Sequence, residues 1–383
     1  MFSAEALKIL KNATRMMYYS GAVPLTWSTT ATGQNRLFLK DSKKYRLVTT
    51  LHCAVLVFYN AFMTYRFGIS LITQKQINDK AALSIILQIV WNLLSYSLPL
   101  LVMVNNFMFW KDIPNFINAL IEFFERFGEN YMCKPVPNWK NGCEKKLKTI
   151  AFLGTTISMI NTILIMKNPE RAYFLTSLHE NPKATSFLKK LPLILCQMWV
   201  WGSLWAHLYY YCFFLLPYNY TALFLLRQLN RDLKSVETLG KLRNLRNFIK
   251  TYRGLQTLHT MCNACFQFLF FPVHKIVIMN IAIIGIYGAI KIPGSRAIIM
   301  AVGAIMCLLY LSLMFRICGK LYEQSLVVLC SWRGERGRYI RKFVRSSQPI
   351  RVEIGYYYYV TKTTVIVIWA TVFNFTTNML ISF

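Results

Sequence analysis

Long runs without a charged residue alternate along this chain with short segments dense in lysine and arginine. The uncharged runs are Leu47–Tyr65, Ala81–Trp110, Thr149–Met166, Leu191–Leu226, Ala297–Phe315 and Thr363–Phe383, and Gly254–Ile290 is interrupted only by Lys275. Crossing a hydrocarbon layer takes about 20 apolar residues as a helix. Inside lipid a backbone satisfies its own polar groups only as a helix or a closed barrel, and the alternation of a barrel strand is absent. The pattern therefore predicts an all-α membrane protein with seven transmembrane helices, over approximately 47–65, 86–108, 149–166, 191–215, 268–290, 297–315 and 361–383. Residues 1–46 precede this 47–383 membrane domain, and 316–352 reads as a cytoplasmic helix before the last span.

Charge adds orientation. Lys and Arg number 44 against 15 Asp and Glu, a formal charge of +29, although charged residues are only 15% of the chain and hydrophobic ones 55%. Such an apolar chain cannot be a disordered basic tail. The cations separate by loop: alternate segments beginning with 1–46 hold 32 of them, the other set holds 10, and Lys275 and Lys362 lie within the apolar segments. Basic loops stay on the cytoplasmic side, which puts the N-terminus in the cytoplasm and the C-terminus outside, the reverse of a G-protein-coupled receptor. The basic excess becomes a topology signal, and no nucleic-acid partner is expected.

Catalytic signatures are missing. There is no HExxH, GxSxG, P-loop or GxGxxG followed by an acidic residue, so the chain reads as a non-enzyme with no cofactor and no metal site. Cys262 and Cys265 have CxxC spacing but no second Cys/His pair beside them, which favours packing. All 15 acidic residues fall outside the span cores, whereas proton-coupled carriers place a carboxylate within the membrane.

Two spans carry usable patterns. In the last, Thr364, Thr371, Asn374, Asn378 and Ser382 recur at helical spacing. A polar stripe along one face suits a water-filled pathway between several copies of the helix, with Phe375 beside it as a hydrophobic constriction. Polar contacts between packed helices give the same pattern. In the fourth, Trp199, Trp201 and Trp205 lie in a stretch of 36 uncharged residues. At about 1.5 Å per residue that exceeds the bilayer core, so the helix either projects beyond it or breaks near Pro217. Together with Trp91, Tyr96 and Tyr287, these aromatics could line a pocket for a small apolar ligand or form interfacial belts.

The C-terminal third resembles the arthropod chemoreceptor superfamily of gustatory and odorant receptors. Gly319 to Ser325, then Trp332, then Arg345 to Ile350 are similar to the cytoplasmic part of the family's last helix pair, and Gly355 with Tyr356 to Tyr359 to its entry into the final span. Gustatory receptors end on Thr-Tyr, four apolar residues and Gln-Phe; here Thr376 and Phe383 match, while Thr377 and Ser382 replace Tyr and Gln. The resemblance implies a chemosensory receptor that is itself a ligand-gated non-selective cation channel, a homo- or hetero-tetramer with related receptors in the plasma membrane of a sensory dendrite. It implies a small tastant or odorant bound in the outer half of the bundle, with permeant cations and the lipid bilayer as further partners. It also implies a final helix split into a cytoplasmic part, 321–345, and a pore-lining part, 360–382. Glu323, Ser325, Trp332, Pro349 and Gly355 are the expected cytoplasmic anchor residues. A seven-helix carrier and a G-protein-coupled-type receptor are the competing readings.

Overall fold

The computed structural model describes residues 4–19, 21–29, 35–40, 42–77, 80–133, 161–233 and 237–382, together with 145, 148, 149, 152, 156 and 159. Helix α1 (Ala4–Tyr19) is followed by a hairpin of β1 (Leu25–Thr29) and β2 (Asn35–Leu39). The long helices α2 (Lys43–Ile77) and α3 (Lys80–Met108) come next, then α4 (Asp112–Tyr131) and α5, helical over 161–167. The chain continues through α6 (Phe187–Leu229), α7 (Leu245–Phe266), α8 (Phe270–Lys291), α9 (Ser295–Ser331), the short α10 (Arg338–Ser346) and α11 (Thr363–Ser382).

Among the described residues, five helices are long and apolar enough to cross a membrane: α2, α3, α8, α9 and α11. The third expected span, 149–166, lies partly outside the described residues, and those described within it are helical. The fourth lies inside α6, a single 43-residue helix that runs through Pro192 and Pro217. Of the two alternatives at Pro217, the helix continues rather than breaks. Thr221 Oγ1 donates to the Pro217 carbonyl at 2.7 Å, one turn earlier in the same helix.

The region 316–352 differs from its expectation. It is not a separate helix: α9 runs unbroken from Ser295 to Ser331 and so carries 316–331 as a continuation of the sixth span. Gly334 and Gly337 then flank a turn before the nine-residue α10. The segment 321–345 is thus divided between two helices. After α10 the chain makes a two-stranded hairpin, β3 (Glu353–Ile354) and β4 (Tyr358–Tyr359), whose turn needs the left-handed Gly355 at φ +57°.

The main core joins α4, α6, α7, α8, α9 and α10. Packing is tightest where side chains vanish: α8 and α9 are joined by a three-residue turn ending at Gly294, and α3 lies against α8. The N-terminal hairpin docks on α4 through an Arg36–Glu125 ion pair at 3.4 Å and through one amide. Asn118 Oδ1 accepts from Leu37 N–H at 2.8 Å and its Nδ2 donates to the Leu37 carbonyl at 2.7 Å, acting as a further strand for one residue. Gly21, at φ +79°, turns its carbonyl to Tyr45 and Thr49, which tie the start of α2 to the hairpin.

Candidate functional site: the last helix, two aromatic clusters and the anchor

On α11, Thr364, Ile368, Val372 and Thr376 recur every four residues and are buried. This face packs on α8 and α9, and Trp369 Nε1 donates across to Ser312 Oγ at 2.8 Å. Asn374, Phe375, Asn378 and Ser382 are exposed on the flank of that face, and Thr371 is half-buried. At about 100° per residue, Asn374, Asn378, Thr371 and Ser382 form one polar strip with Phe375 at its edge. Exposed Ile366, Ala370, Phe373 and Ile381 form an apolar strip beside it. Thr364 does not share the exposed strip. It is turned inward, and its Oγ1 accepts from Thr361 N–H at 3.0 Å in the first turn, where an N-terminal donor needs a partner. Thr376 is also buried and donates to the Val372 carbonyl at 2.8 Å. Phe383 lies outside the described residues.

The six candidate ligand aromatics do not converge on one pocket. Tyr287 is buried with Leu87, Ile292 and Met300, and Trp91, Met379 and Leu380 pack against them. Two of the six thus meet the C-terminal end of α11. Trp91 lies in a notch made by two glycines, Gly285 on α8 and Gly303 on α9, where a Cβ would collide with its ring.

Tyr96 and Trp201 belong to a second cluster between α2, α3, α6 and the segment before α6. Tyr59 stacks edge-on against Tyr96 at 5.0 Å, and Phe174 edge-on against Trp201 at 6.1 Å. Gln197 ties them together: its Nε2 donates to Tyr59 Oη at 2.8 Å and its Oε1 accepts from Leu175 N–H at 3.1 Å. Tyr59, Phe174 and Gln197 were missed by the sequence reading. A glutamine inside an uncharged run is the signal that could have found the last.

Trp205 is half-buried beside the main core. Trp199 is exposed and donates from its indole to His52 Nδ1 at 2.8 Å. That bond leaves the proton of His52 on Nε2, which lies 3.0 Å from Ser203 Oγ. His207 Nδ1 donates to the Ser203 carbonyl at 2.7 Å. A polar row that starts at exposed Trp199 and runs inward through His52, Ser203 and His207 therefore links α2 to α6.

The five anchor candidates lie around one junction. Ser325, fully buried, accepts from Ile350 N–H at 2.7 Å and bonds Tyr252 Oη at 2.9 Å. Trp332 stacks on Phe248 at 4.2 Å with 11° between the planes, and its indole donates to the Leu229 carbonyl at 3.0 Å. Glu323 pairs with Lys362, while Gly319 lies against the Thr361–Lys362 backbone, where no side chain fits. Residues flanking Pro349 run along α7: Gln256 donates to the Gln348 carbonyl at 2.8 Å, Asn263 to Arg351 at 3.1 Å, and Gly355 N–H to the Gln267 carbonyl at 2.7 Å. This zipper fixes the base of α11. Burial pushes the Tyr252 hydroxyl up to about 12, opposed by its bond to Ser325, which keeps it a proton donor. Burial also lowers His259 to about 4; its Nδ1 lies 2.7 Å from Tyr218 Oη. Cys262 and Cys265 are buried in the same helix as free thiols.

A cavity lined by Phe270, His274, Tyr310, Met314, Cys318 and Val352, among others, lies at the N-terminal end of α8, and none of the six candidate aromatics lines it. Among the described residues no group of His, Cys, Asp and Glu is arranged to hold a metal.

No protein-family model and no curated protein matches the chain. Two solved structures are similar in fold. The insect olfactory receptor OR5 from Machilis hrabei superposes with a TM-score of 0.66 at 12% identity, covering 98% of each chain. The same receptor in complex with eugenol superposes with a TM-score of 0.64 at 11% identity, again over 98% of each chain. From end to end, the chain has the fold of an insect olfactory receptor.

Proposed function

We propose that this chain is a chemosensory receptor of the insect superfamily that works as a ligand-gated, non-selective cation channel. The observation that carries the reading is α11: one face is buried in its own protomer, and along its flank runs a polar strip of exposed Asn374, Asn378 and Ser382 with half-buried Thr371. An exposed polar strip suits a helix lining water between several copies. The fold shared with an olfactory receptor over its full length supports the same assignment.

Seven spans, a cytoplasmic N-terminus and an external C-terminus follow from the loop charge count. Four copies around the α11 strip, at the plasma membrane, alone or with a related receptor, make the pore. Phe375 narrows it. The similar receptor was solved with eugenol, and a small odorant or tastant is the ligand class assigned here, bound among the outer halves of the helices. The cluster of Trp91 and Tyr287 passes the signal on, because it touches Met379 and Leu380 of α11. A ligand that binds the open arrangement more tightly shifts the gating equilibrium by that difference.

Expression in oocytes with a panel of odorants and tastants tests this reading. Ligand-evoked cation current, alone or with a co-receptor, is expected. Surface expression without current from any ligand, with radiotracer uptake instead, contradicts it. An N-terminal tag accessible on intact cells contradicts the orientation.

A further inference from the structure

The segment before α6 is built as a plug. Residues 168–178 belong to the connection between α5 and α6, and a connecting segment normally lies on the surface. Here Phe174 is 1% exposed, Leu175 0% and Thr176 1%. Three latches hold them. Gln197 of α6 accepts from Leu175 N–H at 3.1 Å, Tyr59 Oη of α2 donates to the Tyr173 carbonyl at 3.1 Å, and Arg66 of α2 donates to Ser177 O at 2.8 Å and to Ser177 Oγ at 2.7 Å. The result is a benzyl side chain from a loop, seated edge-on against Trp201 in a cluster of otherwise helical residues.

The seat has one unmet requirement. The indole N–H of Trp201 is buried and has no acceptor among the described residues. Buried donors are nearly always paired, and a phenylalanine offers no acceptor to pair with. The indole that packs against the Phe174 ring is thus the same one that carries an unused donor.

We propose that Phe174 is a built-in stand-in for the ring of the ligand. The ligand is then an aromatic molecule carrying an oxygen acceptor, such as an aryl ketone or aryl ether. It displaces Phe174 and accepts a hydrogen bond from Trp201 Nε1. The proposal rests on the receptor reading above, in which 168–178 faces the outside and yields to an arriving ligand. The gain over an oxygen-free isostere is one buried hydrogen bond, worth about tenfold in affinity.

Acetophenone and isopropylbenzene, matched in size and differing in the oxygen, are the probes. Their binding is measured on the full chain in lipid nanodiscs, and their currents in oocytes. The wild type is expected to bind acetophenone about tenfold more tightly. Trp201→Phe should abolish that preference, bringing the two ligands to equal affinity. Phe174→Ala should tighten both ligands. Gln197→Leu, which unlatches the plug without emptying the cluster, should shift both in the same direction. Equal binding of the two ligands by the wild type, a preference that survives Trp201→Phe, or affinities unmoved by both plug variants would overturn the proposal. Binding with the expected variant pattern but without current keeps the site and removes the channel reading. Currents evoked by other compounds, with neither probe bound, remove the site and keep the channel.

Discussion

A Cβ built on Gly303 would stand 2.5 Å from the ring of Trp91. The indole of α3 therefore reaches between α8 and α9 only because both helices omit a side chain there, at Gly285 and Gly303. Extra atoms in a closed core cost about 1–3 kcal/mol. Gly303→Ala is expected to lower the unfolding temperature of the nanodisc-embedded protein, and Trp91→Leu in the same chain to recover most of the loss. Equal stability of Gly303→Ala and wild type would show that the notch is not tightly filled.

Ser325 is the shared partner of Ile350 N–H and Tyr252 Oη. Ser325→Ala leaves a buried backbone donor without its acceptor, at a cost of about 1–3 kcal/mol. Tyr252→Phe removes one bond of the same group and should cost less. Thermal denaturation followed by circular dichroism ranks the two, and the reverse order would show that Ser325 is not the centre of the junction.

His259 gives the stability a pH dependence of known sign. Its pKa falls from an ordinary 6.5 to about 4 on burial, so the unfolded chain holds the proton more tightly. The stability this group contributes is complete above pH 6.5 and is lost as pH falls from 6.5 towards 4. The denaturation midpoint should drop between pH 7.5 and pH 5, and His259→Gln should drop by less over the same interval. Parallel curves for the two proteins would remove His259 as a source.

Much of the last helix was legible in the sequence, because its signals are local. The four-residue recurrence of Ile368, Val372 and Thr376, and the spacing of Asn374, Asn378 and Ser382, are set by one helix's own periodicity. Thr364 was misread with them because it occupies the first turn, where capping the backbone at Thr361 outweighs the face it would otherwise share. The break after Ser331 carried a local signal, Gly334 and Gly337 among Arg333, Glu335 and Arg336, but the amphipathic pattern that resumes at Tyr339 masked it. The plug was invisible for a different reason: Gln197 bonds Leu175 N–H 22 residues away and Tyr59 138 residues away, and no local pattern encodes either distance. The aromatic candidates were chosen by residue type and span alone. Type predicts burial, but not which neighbours a ring will meet, so Trp91 and Trp201 entered different clusters.

A ligand-gated pore lined by α11 makes a distinct prediction at four positions of that helix. Single cysteines at Asn374, Asn378, Phe373 and Val372 in a background without the exposed native cysteines test it most directly. Currents evoked by a ligand are recorded while a membrane-impermeant cationic thiol reagent is applied. Rapid, irreversible block at Asn374 and Asn378, with slow or no block at Phe373 and none at buried Val372, is the predicted result. Block that ignores the polar strip, or modification of all four positions without effect on current, would contradict it.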